Sequence, residues 1–91
     1  MAMKEWVATY SGCQIRVANT WFGVARLYKL YIDGDWRDTN VGIVSSHSPA
    51  LSGRVTPANL QPFLVEVYVK ALATVKAKIC VGGKQIGGDT F

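Results

Sequence analysis

The sequence predicts an all-β domain, a small sandwich or flattened barrel of about seven antiparallel strands built from two sequence-similar halves. Three observations carry that expectation. Apolar residues fill every odd position from Phe63 to Val81, while Glu66, Lys70, Thr74, Lys76 and Lys78 stand at even ones. A period of two marks a strand with one buried face. Turn dipeptides at Ser11-Gly12, Asp33-Gly34 and Gly82-Gly83 punctuate the alternation, and such residues tolerate the positive φ that tight hairpins need. Finally, Lys29-Leu30-Tyr31-Ile32-Asp33-Gly34 reads onto Lys78-Ile79-Cys80-Val81-Gly82-Gly83 at an offset of 49. Ile15-Arg16-Val17 matches Val65-Glu66-Val67 at 50, and Asp38-Thr39 matches Asp89-Thr90 at 51. The repeat covers approximately residues 13–40 and 63–91 of a single domain, 1–91.

Taken in order, a first strand is expected near Glu5–Tyr10, turned at Ser11-Gly12 into a second over Cys13–Ala18. Arg26–Ile32 follows with Tyr28, Leu30 and Ile32 inward. Val41–Val44 and Leu51–Val55 read as short strands around the loop Ser45-Ser46-His47-Ser48-Pro49. Residues beyond the Asp33-Gly34 and Gly82-Gly83 turns read as short polar tails. Pro57 and Pro62 keep the segment between them out of a central strand because proline cannot donate to a ladder. The alternating stretch from Phe63 to Val81 would span roughly 60 Å as one straight strand, whereas a compact chain of this length is only about 30 Å across. It must fold back. A three- or five-residue loop near Ala71-Leu72-Ala73 keeps the odd positions on one face, so a hairpin is expected there. The first half has its own loop at Asn19–Gly23.

A chain of 91 residues with 49% hydrophobic and 18% charged residues is rich in core material. Small domains bury a modest fraction of their surface, so apolar surplus favours self-association. The net charge of +4 is spread from Lys4 to Lys84 without a run of adjacent basic residues. It permits an anionic partner without specifying one. Cys13 shares parity with Ile15 and Val17, whereas Cys80 alternates away from Ile79 and Val81, so no disulfide is expected. The first residues lack the apolar core of a signal peptide, and no stretch has bilayer length. A reduced cytoplasmic protein without a membrane partner is the expectation.

Catalytic and metal signatures do not assemble. Asp33, Asp35 and Asp38 suggest a calcium loop, but the sixth and twelfth positions are Asp38 and Val44 where an EF-hand requires glycine and glutamate. His47 lies in a serine-rich loop without a nucleophile elbow. Cys13 and Cys80 lack Cys-x-x-Cys spacing, and Gly82-Gly83 and Gly87-Gly88 lack a phosphate-binding fingerprint. No enzyme activity, cofactor or metal is expected. The stronger signal is the outward face of the matching hairpins: Arg16, Leu27, Lys29, Tyr31, Leu64, Glu66, Tyr68, Lys76 and Lys78. Tyrosines among aliphatics suit a protein interface, and basic groups between aromatics suit single-stranded nucleic acid. Trp21 and Phe22 at a connection read either as a plug closing one end of the sandwich or as a contact with a sister subunit or ligand. The function expected is a non-enzymatic binding or assembly module acting as a homo-oligomer. The alternatives are a single-stranded nucleic-acid binder and a small-ligand-binding β domain.

Overall fold

The alternation folds as antiparallel meanders. In the computed structural model, which describes residues 2–22, 25–42, 44–57, 60–71 and 74–91, two four-stranded sheets pack face to face. The first runs β1 (Ala2–Tyr10), β2 (Cys13–Phe22), β3 (Ala25–Ile32) and β4 (Asp35–Val41), in that spatial order. The second runs β5 (Leu51–Val55), β6 (Phe63–Ala71), β7 (Val75–Val81) and β8 (Lys84–Gly88). Every pairing is antiparallel and joins neighbours in sequence.

Three hairpins close through two-residue turns with positive φ at both positions: Ser11-Gly12, Asp33-Gly34 and Gly82-Gly83. That backbone matches the right-handed twist of the strands it joins. Ala71 pairs with Val75, so the predicted β6–β7 hairpin forms with a three-residue loop. Two of its residues, Leu72 and Ala73, lie outside the described residues, as do Gly23 and Val24 of the β2–β3 connection.

The described residues form eight strands where the alternation predicts about seven. The stretches that read as polar tails form edge strands: β4 starts at Asp35 and ends at Val41, in place of the expected Val41–Val44 strand, whose Ile43 lies outside the described residues, and β8 covers Lys84–Gly88. Their Asp, Asn, Gln and Gly content disfavours strand by propensity. Pairing with β3 and β7 overrides it. Each pairing carries a register shift, between Leu30 and Tyr31 in one sheet and between Ile79 and Cys80 in the other, positions 49 residues apart.

Parity sorts the core as expected. Cys13, Ile15, Val17, Tyr28, Leu30 and Ile32 from one sheet meet Val65, Val67, Val69, Ala77, Ile79 and Val81 from the other, all buried. Both cysteines are free, and Cys80 lies outside this cluster. The sheets stack so that β1 meets β8 along one seam and β4 meets β5 along the other. Side chains stitch both. Trp6 Nε1 donates to Asp89 Oδ2 at 2.8 Å, and Asp38 Oδ2 accepts the Ser52 N–H at 2.8 Å. Asn40 Nδ2 donates to Ala50 O at 2.8 Å, and Arg37 Nη1 to Arg54 O at 3.0 Å. Gly87 permits the first seam, because a Cβ there would stand 2.6 Å from the Ala8 Cβ. The molecule is elongated and flattened, measuring 44 × 23 × 16 Å. Among the described residues no helix is long and apolar enough to cross a membrane.

Candidate functional site

Stacking the sheets divides the predicted outward face. Arg16, Leu27, Lys29 and Tyr31 lie on the outer face of the β1–β4 sheet, and Leu64, Glu66, Tyr68, Lys76 and Lys78 on that of the β5–β8 sheet. All are half-buried or exposed, as parity requires. They form two patches on opposite sides of the molecule, because the matching hairpins belong to different sheets.

The β1–β4 face is apolar and aromatic. Cross-strand register builds the row Val7–Arg16–Tyr31–Trp36 and, beyond the intervening row Glu5–Ala18–Lys29–Thr39, the row Met3–Thr20–Leu27–Val41. Met3, Val7, Trp36 and Val41 are each more than half exposed. Its charges are largely engaged. Arg16 Nη1 bonds Glu5 Oε2 at 2.8 Å while its guanidinium stacks on Tyr31, 4.2 Å from the ring centre. Lys29 Nζ stands 5.1 Å over the Trp36 ring, and the Trp36 indole N–H donates to Thr39 Oγ1 at 2.6 Å. The sequence reading missed Met3, Val7 and Val41 because both parities of β1 are apolar and Val41 was assigned to a different strand.

The opposite face is basic. Lys70 and Lys76 are directly paired across β6 and β7. Lys78 Nζ lies 5.4 Å from the Tyr68 ring and 4.9 Å from that of Phe91. Arg54 adds a further cation, against the single anion Glu66. Cys80 sits here between Glu66 and Gln85 but is only 5% exposed. Burial pushes its thiol up, and Glu66 adds to that against an opposing pull from Lys78. Burial likewise raises the Cys13 thiol, helped by the charge and hydrogen bond of Asp33. Neither is an activated nucleophile.

Trp21 stands apart from both faces. It lines a cavity of about 330 Å³ at the end of the sandwich where β2 passes to β3 and β6 to β7, together with Lys4, Arg26, Thr74 and Val75. Trp21 is therefore a pocket wall. Phe22 ends β2, and its side chain lies outside the described residues. Lys4 Nζ bridges the sheets by donating to Val75 O at 2.9 Å. Arg26 pairs across the sheet with Trp21, and Asn19 with Tyr28 one layer further in. Arg26 Nη1, Tyr28 Oη and Asn19 Oδ1 are buried without a hydrogen-bond partner among the described residues. Sequence reasoning passed over Lys4 and Arg26. The signal was their parity, since Lys4 alternates with Trp6 and Ala8, and Arg26 with Tyr28 and Leu30.

At the far end a broad depression of about 860 Å³ is lined by Tyr10, Phe63, Leu60 and the Gly82-Gly83 turn, among others. The acidic turn disperses: Asp33 Oδ1 accepts the Gln14 N–H while Asp38 faces β5. His47 is exposed, its backbone N–H on Ser45 Oγ at 3.2 Å. Among the described residues no three His, Cys, Asp or Glu side chains converge as a metal site. Comparison with protein-family models, curated proteins and solved structures finds no match.

Proposed function

We propose that this protein is a non-enzymatic binding module of the cytoplasm that associates with a second copy of itself through the outer face of the β1–β4 sheet. The observation that carries the reading is the concentration there of Met3, Val7, Trp36 and Val41, all more than half exposed, around a central Arg16–Tyr31 stack. Large apolar groups grouped on one face are characteristic of interaction sites, and aromatic and Arg anchors are typical of interface centres. Glu5 and Arg16 already neutralise one another, so burying the face against its copy leaves only Lys29 to accommodate. Four strands of 9, 10, 8 and 7 residues, spaced about 4.8 Å apart, give a footprint of roughly 19 by 28 Å. That is near the lower end of stable interfaces, about 600 Å² per partner, and supports a micromolar rather than nanomolar dimer.

Sedimentation equilibrium across a concentration series tests this. Wild type should pass from one to two chain masses in the micromolar range, and Trp36→Glu should hold it at one. A single-chain mass at about 100 µM, well above the dissociation constant of a micromolar dimer, would remove the reading.

The opposite face supports a second reading, binding of a single-stranded nucleic acid. Like charges directly opposed across strands destabilise a sheet, and the Lys70–Lys76 pair therefore favours an anionic partner that would neutralise it. Tyr68 and Phe91 beside Lys78 supply rings for base stacking. Retention of single-stranded oligonucleotides at low salt should fall steeply as salt rises and vanish in Lys76→Glu/Lys78→Glu. No retention by wild type at low salt would eliminate it.

A further inference from the structure

We infer that the cavity walled by Lys4, Trp21, Arg26, Thr74 and Val75 binds an oxyanion, the carboxylate or phosphate group of a small molecule. Buried cations are normally paired, yet Arg26 Nη1 is enclosed without an acceptor among the described residues. Lys4 lines the same cavity, with one donor on Val75 O and further N–H groups to offer. Among the described residues no carboxylate lines the cavity.

The chain has six acidic side chains, and each lies elsewhere. Glu5 pairs with Arg16, Asp33 accepts from Gln14, Asp38 from Ser52, and Asp89 from Trp6. Asp35 follows the Asp33-Gly34 turn at the far end, and Glu66 is on the outer face of the other sheet. None of these side chains is placed to pair with Arg26, and an anion from outside the chain would supply that charge. A guanidinium fork with an ammonium in the same cavity matches two or three oxygens of a carboxylate or phosphate, and Thr74 adds a hydroxyl. Trp21 and Val75 supply apolar wall for whatever body carries the group. A volume of about 330 Å³ is at the small end for ligand pockets, which run from about 300 Å³ upward, so the body is no larger than a single ring. Behind this layer, Tyr28 Oη is a further unpartnered group on a fully buried side chain and is able to donate, whereas the unpartnered Asn19 Oδ1 only accepts.

The test is titration of the full ¹⁵N-labelled chain, in low-chloride buffer free of phosphate, with inorganic phosphate, phenyl phosphate and benzoate in turn. Saturable shifts should centre on the Trp21 indole, Arg26 and Thr74 signals. Arg26→Gln should weaken binding by about tenfold or more, as loss of a charge-assisted fork implies, and Lys4→Gln by less. Lys84→Gln, at the opposite end of the molecule, should leave it unchanged. If Arg26→Gln fails to fold, Arg26→Lys replaces it and should also weaken binding, because a point charge substitutes for the fork. Inorganic phosphate binding as tightly as phenyl phosphate assigns the site to the free ion. Tighter binding of the ring-bearing probes, lost in Trp21→Ala, assigns it to an organic acid. No saturable shift from any probe at about 10 mM, a concentration that would populate even a millimolar site, overturns the inference. So does a Lys84→Gln effect equal to that of Arg26→Gln.

Discussion

Asp89 does more for this fold than its place beyond the last strand suggests. Its carboxylate accepts from the Trp6 indole and from the Ala77 N–H, while its own N–H donates to Ala77 O. One residue thus ties β1, β7 and the residues after β8 together. Asp89→Ala should cost about 1–3 kcal/mol in urea unfolding, since it strands buried donors rather than merely deleting a contact. Gly87 acts by absence. Its alanine variant places a methyl 2.6 Å from that of Ala8, and such overpacking costs about 1–3 kcal/mol. Ala8→Gly in the same chain should recover part of that loss, which a general effect of Gly87→Ala on strand propensity would not allow. The cysteines predict an alkaline limit. Both thiols are raised in the fold, so the fold binds protons that the unfolded chain releases above 9.0, the ordinary thiol value. Their contribution to stability is complete below that pH and declines as pH rises through it. Double replacement by alanine should flatten the alkaline side of the stability profile, measured as urea midpoint against pH.

At the scale of strands, β6 and β7 are where sequence and structure agree most closely. Val67→Ala should cost more than about 1 kcal/mol by cavity formation, while Glu66→Ala should stay within about 0.5 kcal/mol as a surface change. Lys70→Glu should stabilise by roughly 0.2–1 kcal/mol, converting a repulsive cross-strand pair into an attractive one, as read by thermal melting. These strands were legible because each inward position is apolar and each outward one polar or long. Strands β4 and β8 were not, because edge strands need only one partner; Asp38 and Asn40 serve as stitches to the other sheet rather than filler, and Gln85 bonds carbonyls of its own segment. The candidate site was legible only in fragments. Parity placed Arg16, Lys29, Tyr31, Tyr68 and Lys78 on the surface, but it carries no information about which sheet a hairpin joins. The cavity depends on Lys4 from β1 and Thr74 from the β6–β7 loop, distant in sequence and brought together at one end of the sandwich, and no local pattern encodes that meeting.

Across the whole molecule, the two faces differ in character: one apolar with its charges engaged, the other carrying Arg54, Lys70, Lys76 and Lys78 against Glu66 alone. Register shifts and positive-φ turns recur 49 residues apart in the two sheets, and the seam aspartates Asp38 and Asp89 stand 51 apart. The meanders are each continuous in sequence, so the backbone crosses between sheets once, in the segment 42–50. Everything else that joins them is side-chain packing and the two stitched seams. A chain cut in that segment should therefore reassemble from its two fragments when they are mixed. Two intact chains, by the same logic, have the means to trade sheets, each completing the other through a longer reach of that single crossing.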